Sequence, residues 1–150
     1  MGLFTCKDAK LLYYSLSDDA YRPRVGYEGD AGLDLALSHS LTVPVGAHRM
    51  GDTGVHVAIP NGHVGMLFVR SSTGVKRNLV LSNGTGIVDS GYRGPIKISL
   101  HNTGTATQNI SAGDYIAQLV VIPIHPQRIV EVDELDTTER GEGGFGSTGT

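Results

Sequence analysis

The chain has only one cysteine, Cys6, so no disulfide can form within it, and a reduced, cytoplasmic setting is the expectation that follows. No neighbouring residue activates Cys6 as a nucleophile. No stretch approaches the roughly 20 apolar residues of a membrane span, and the opening MGLFTCKDAK lacks the apolar run of a signal peptide. Membrane association is therefore not expected. The MGLFTC start faintly matches an acylation signal, yet a single acyl chain without a polybasic patch anchors poorly. In such a setting the sequons Asn83-Gly-Thr85 and Asn109-Ile-Ser111 are accidental.

Positive charge is scarce as well. Twelve Lys and Arg against 15 Asp and Glu give a formal net charge of -3, which removes the field that duplex nucleic acid requires. A small anion held by a few local arginines is still allowed. The histidines, His39, His48, His56, His63, His101 and His125, form no HExxH and no tight ligand spacing, so a metal caged by protein nitrogen is not expected. No Gly-Lys-Ser/Thr phosphate loop occurs. Gly141-x-Gly143-x-x-Gly146 matches the dinucleotide fingerprint in form, but lacks the strand before it and the helix after it that the motif needs.

What the sequence does have is a rhythm of two. Val55, Val57 and Ile59 alternate in GVHVAIP, Val64, Met66 and Phe68 share a face in GHVGMLFV, and Ile96, Ile98 and Leu100 share one in PIKISLHN. YIAQLVVIPI is more evenly apolar and predicts a strand buried on both faces, whereas RIVEVDEL predicts another alternating strand. Turn signals separate these runs: PVG, PNG, SNGTG, DSG, NTG and SAGD. With 21 glycines in 150 residues, the pattern predicts one all-β domain, a sandwich or jelly-roll-like antiparallel barrel. One short helix fits, in RSSTGVKRNL, with Ser71 or Ser72 as its cap.

Three stretches carry possible chemistry. VRSSTGVK sets an arginine and two hydroxyls where a strand meets the short helix, which suits either phosphate or an ordinary helix start. GIVDSGYRG places Asp89 where a strand leaves for a turn, with Tyr92 and Arg93 close by; a plain turn aspartate reads the same way. The closing RGEGGFGSTGT is either a frayed terminus or a lid, with Arg140, Ser147 and Thr148 suited to phosphate oxygens and Phe145 to a planar ring.

In order along the chain, DAGLDLALS from Asp30, VRSSTGVKRNL from Val69, NGTGIVDSGYRGPI from Asn83, AGDYIAQLVV from Ala112 and the terminal RGEGGFGSTG resemble the motifs of the trimeric dUTP pyrophosphatases. The resemblance covers nearly the whole chain. It implies a homotrimer with shared active sites, a β-barrel domain over 1–139, and a Gly-rich lid over 140–150. The implied reaction is hydrolysis of dUTP to dUMP and pyrophosphate by water attack on the α-phosphorus, which limits dUTP and supplies dUMP for thymidylate synthesis.

The resemblance also implies residue roles. Asp89 orients and deprotonates the attacking water. Tyr92 packs against the deoxyribose, and Asn83 with Gly86, Ile87 and Val88 reads the uracil edge. Arg70, Ser71, Ser72 and Gln118 hold phosphates, and Lys97 contacts substrate through its backbone. Arg140, Gly146, Ser147 and Thr148 engage the γ-phosphate end while Phe145 stacks on uracil. Mg²⁺ is held mainly by the triphosphate and waters, with Asp34 reaching one of those waters. Many members carry proline at Val69 and an acidic residue at Gly91, and neither departure removes a chemical group from this mechanism. A host-cell cytoplasm or nucleus is the implied place if the source is viral.

Two other readings remain. A dCTP deaminase shares the RSS stretch, but resemblance to that family requires a glutamate where KISLHN has Ser99. A regulator that senses dUTP without turning it over is the other.

Overall fold

The computed structural model describes residues 11–125 and 127–144. Ten strands and one helix follow in order: β1 (Tyr13–Leu16), β2 (Leu33–Ala36), β3 (Leu41–Val43), β4 (His48–Ala58), β5 (His63–Val69), α1 (Ser71–Arg77), β6 (Leu79–Leu81), β7 (Gly86–Val88), β8 (Pro95–Asn102), β9 (Gln108–Ile110) and β10 (Tyr115–Pro123). They form two antiparallel four-stranded sheets, β1-β4-β8-β6 and β2-β10-β5-β7, and a two-stranded strap, β3-β9. The all-β barrel with a single short helix is thus what the described residues show.

The period-two pattern sets the core. Val55 and Val57 from β4 and Ile96, Ile98 and Leu100 from β8 meet Leu35 from β2 and Leu119 from β10 in one cluster between the sheets. Buried Asn102 ties the strap to this core: its Nδ2 donates to the carbonyls of Val43 at 2.9 Å and Ala106 at 2.8 Å, and its Oδ1 accepts from the Gly104 N–H. A buried amide is tolerated here because its polar atoms are partnered.

Three local expectations need correction, and β5 shows which of its faces is buried. The Val64, Met66 and Phe68 face of β5 is only half-buried, and Gly65 and Leu67 point inward instead. A Cβ at Gly65 would stand 3.0 to 3.1 Å from Ile59, Leu119 and Val88, so a side chain there would have to push those neighbours aside. In β10 only the first half is deeply buried, at Ile116, Ala117 and Leu119, while Ile122 is exposed. RIVEVDEL forms no strand and pairs with neither sheet: Ile129 is 93% and Leu135 79% exposed. The helix is capped by neither serine; Arg70 occupies the N-cap in extended conformation with no side-chain bond.

A bulge in β4 shapes one end of the site. Pairing with β8 runs Asp52↔Lys97 and resumes at His56↔Pro95, with Gly54 at φ +63° in between. Fully buried Thr53 holds the bulge, donating its hydroxyl to the Ile96 carbonyl at 2.8 Å and accepting from the Val55 N–H at 3.1 Å. Thr53→Val keeps the shape and leaves both backbone groups unpaired, so we expect urea unfolding to show a loss of about 1–3 kcal/mol.

Candidate active site

Asp89 leaves β7 at the mouth of a recess of about 240 Å³ lined by Asn83, Gly86, Ile87, Val88, Asp89, Tyr92 and Lys97, together with Leu67, Pro95 and Ile96. The five residues expected at the base and sugar, Asn83, Gly86, Ile87, Val88 and Tyr92, are therefore in one place, beside Asp89 and Lys97. The turn before β7 presents Asn83 outward, with Gly84 at φ +72°. Gly86 lets that hairpin lie close to β5, since a Cβ there would sit 2.9 Å from the Leu67 Cβ. The Tyr92 hydroxyl donates to the Pro95 carbonyl at 2.9 Å, and Gly94 leaves the ring its room, because a Cβ at 94 would collide with the Tyr92 hydroxyl. The Lys97 side chain is exposed and its backbone pairs with Asp52.

The phosphate-type residues gather elsewhere. A second recess, of about 390 Å³, is lined by Gly32, Asp34, Arg70, Ser71 and Gln118, with Asp30 and Tyr27 at its edge. Arg70 Nη2 lies 3.2 Å from Asp34 Oδ2, and its Nη1 donates to the Tyr115 carbonyl at 3.2 Å. Gln118 pairs across β10 with both Asp34 and Phe68, and its amide reaches the Val69 carbonyl at 3.5 Å. Gly32 is what admits that glutamine, whose side chain a Cβ at 32 would overlap. Ser72 lines a neighbouring recess of about 300 Å³ with Arg24, Arg70, Arg77, Asp114 and Tyr115.

Arg24 is a residue that sequence reasoning missed. Its backbone exchanges two hydrogen bonds with Asp34, at 3.2 and 2.7 Å, which brings its Nε to 3.7 Å from Asp34 Oδ2. Its guanidinium lies 3.8 Å above the Tyr115 ring. Asp34, 8% exposed, is thus flanked by two guanidiniums on one oxygen, while Oδ1 has no partner among the described residues. Among the described residues no group of three His, Cys, Asp or Glu could cage a metal. A hydrated cation carried by a ligand and touched through water by Asp34 Oδ1 fits this donor set.

Arg140 folds its Nε onto the Gly143 carbonyl at 2.9 Å, away from either recess. Phe145, Gly146, Ser147 and Thr148 lie outside the described residues.

Asp89 and the phosphate-type residues lie toward different ends of β5. Val88 pairs with Gly65 and Ala117 with Val69, a separation along β5 of about 13 Å at the usual rise per residue. Asp89 continues beyond the first of these positions and Ser71 beyond the second.

Comparison with known proteins gives one answer. The family model described as dUTPase matches residues 18–149. The deoxyuridine 5'-triphosphate nucleotidohydrolase of Cutibacterium acnes is 44% identical over 85% of this chain and 84% of its own, and that of Clostridium kluyveri is 40% identical over 94% and 99%. The dUTPase of Staphylococcus bacteriophage 80alpha, solved with dUpNHpp, superposes with a TM-score of 0.87 at 30% identity, covering 94% of this chain and 99% of that one. A mutant dUTPase of phage phi11, described as coordinating a structural Mg(II) ion, gives 0.76 at 29% identity over 83% and 97%. With a matching family model along nearly its whole length and relatives of this identity and coverage, the chain belongs to the dUTPase family.

Proposed function

We propose that this chain hydrolyses dUTP to dUMP and pyrophosphate, with Asp89 as the general base. The observation that carries the reading is Asp89 standing exposed at the mouth of the recess that Asn83, Gly86, Ile87, Val88 and Tyr92 line. A carboxylate in that place takes the proton of a water aimed at the α-phosphorus. Backbone groups of the β7 hairpin and Asn83 meet the uracil edge, and the Tyr92 ring forms the wall against the sugar. Arg70, Ser71, Ser72 and Gln118 receive the phosphates, where guanidinium and hydroxyl donors offset charge that builds on the departing pyrophosphate. Mg²⁺ would arrive with the triphosphate and add charge neutralisation, with Asp34 holding one of its waters.

The working unit is a homotrimer. Asp89 stands past the Gly65 end of β5 and Ser71 past the Val69 end, which supports a site that joins the base recess of one subunit to the phosphate recess of another. The outer face of the β2-β10-β5-β7 sheet supports this: Val64, Met66, Phe68, Val120 and Ile87 lie on it, and Ile87 is 59% exposed. Such a face is covered by copies of the chain. Residues 128–135, alternating and unpaired here, supply a strand for a neighbour's edge by the same reasoning. Residues 140–150 act as the lid, with Arg140, Gly146, Ser147 and Thr148 at the phosphates and Phe145 on the uracil. No helix among the described residues is long and apolar enough to cross a membrane, and an intracellular place suits the substrate.

Deamination is disfavoured by a specific contact. Ser99 stands where a deaminase would carry its glutamate, and its hydroxyl donates to Ser82 Oγ at 2.8 Å. The test is direct: with dUTP we expect stoichiometric pyrophosphate and dUMP, and with dCTP neither ammonia nor comparable pyrophosphate. Ammonia from dCTP, or tight dUTP binding without pyrophosphate, would replace this reading.

A further inference from the structure

We infer that His56, which lies in β4 outside every motif described above, is a positioning residue for the loop that carries Asp89 and Tyr92. The inference rests on the dUTP reading for its kinetic readout but not for its geometry.

The loop from 89 to 94 is largely held by its own atoms. The Tyr92 N–H donates to the Asp89 carbonyl at 3.1 Å, and Arg93 Nη1 donates to the carbonyls of Ser90 at 2.7 Å and Tyr92 at 2.8 Å. These bonds give the loop a shape; they do not fix where it stands on the barrel. Its tether at the far end is weak for a covalent reason: β8 begins with Pro95, which has no N–H to give to the ladder, opposite His56 on β4.

His56 supplies the missing attachment with its side chain. Its Nδ1 is 2.8 Å from the Arg93 carbonyl oxygen, and a carbonyl can only accept, so Nδ1 carries the hydrogen. In the neutral ring Nε2 then accepts, and Ser17 Oγ lies 3.1 Å from it to donate. Ser17 is itself fixed, its N–H donating to the carbonyl of Gly54 in the β4 bulge at 2.8 Å. The chain Ser17–His56–Arg93 thus sets both the tautomer and the plane of the ring. Two groups outside the loop hydrogen-bond to it among the described residues: the Pro95 carbonyl, which takes the Tyr92 hydroxyl, and His56, which alone ties it to a strand other than the one it leads into.

The bulge is what makes this contact possible. By adding residues to β4 between Asp52 and His56, it brings His56 level with Pro95. The ring reaches the loop on the side of a recess lined by Tyr13, Tyr14, His56 and Arg93, so it touches neither the base recess nor the phosphate recess. Its effect on chemistry passes through the loop: a shift of the Arg93 carbonyl moves the turn that sets Asp89 and Tyr92. Small misplacement of a reacting group is costly, on the order of a hundredfold for about 1 Å.

The test compares His56→Ala with His56→Asn. Asparagine carries an amide N–H near the place of Nδ1 and can remake the bond to the Arg93 carbonyl; alanine cannot. For His56→Ala we expect kcat on dUTP to fall by about tenfold and the dUTP-to-UTP ratio of kcat/KM to narrow, because Asp89 and Tyr92 move together. Amide hydrogen exchange at 89–94 should quicken in the same variant. His56→Asn should recover most of all three. Parental kcat, ratio and exchange in His56→Ala would overturn the proposal. So would equal losses in both variants that follow a lowered Tm, since a purely structural role predicts that. If the parent protein did not turn over dUTP, the functional reading would fall, and exchange at 89–94 would still decide whether His56 holds the loop.

Discussion

Asp89→Asn should lower kcat on dUTP by about a hundredfold or more while leaving KM, the oligomer and Tm close to those of the parent. The amide has the size of the carboxylate and keeps an oxygen that can accept from water, but it cannot take the proton as the water attacks. Asp89 is exposed and makes no side-chain hydrogen bond or ion pair among the described residues, so its charge contributes little to the fold. That separates it from Asp34, whose loss would release two guanidiniums at once. Because the effect falls on the chemical step, kcat and kcat/KM should drop together. A variant with near-parental kcat would assign the proton to another group.

How much of this site was legible in the sequence depends on whether local pattern or distant contact decides each position. Asn83, Gly86, Asp89 and Tyr92 lie within one hairpin and its following turn, so a single motif brought them together and the structure keeps them so. Arg24 could not be found that way. Its link to Asp34 is a backbone bridge between a loop and β2, and no spacing rule announces it. His56 hid inside an alternating strand, where a polar residue on the outer face is unremarkable.

The β5 pattern left open what covers its apolar face. Val64, Met66 and Phe68 alternate as a core face would, and the period says only that one side is apolar; it does not say whether the cover is the same chain or another. RIVEVDEL failed for the same reason, since alternation alone does not name the edge, of this chain or another, that a strand would pair with. Both patterns fall on segments that the proposed homotrimer would cover. The capping error is smaller: serine is a good N-cap, yet Arg70 takes the position because Asp34 and the Tyr115 carbonyl already fix its guanidinium.

Mixing two inactive variants should return about a quarter of parental activity. Take Asp89→Asn, which keeps its phosphate recess, and Arg70→Gln, which keeps Asp89; Arg24 still stands beside Asp34 in the second, so its carboxylate is not left alone. Each protein by itself should be nearly dead, because each of its sites lacks either the base or the guanidinium. If every site joins the base recess of one subunit to the phosphate recess of the next around a closed ring, any mixed trimer contains one junction where both partners are intact. Equal amounts, randomly reassembled, give about three quarters mixed trimers with about one site in three restored, hence the quarter. Native mass spectrometry would confirm that mixed trimers formed before dUTP hydrolysis is assayed. A chain that completed its own site could show no such recovery, since neither variant carries both groups. Confirmed mixing without recovered activity would therefore mean that Asp89 and Arg70 of a single chain come together after all.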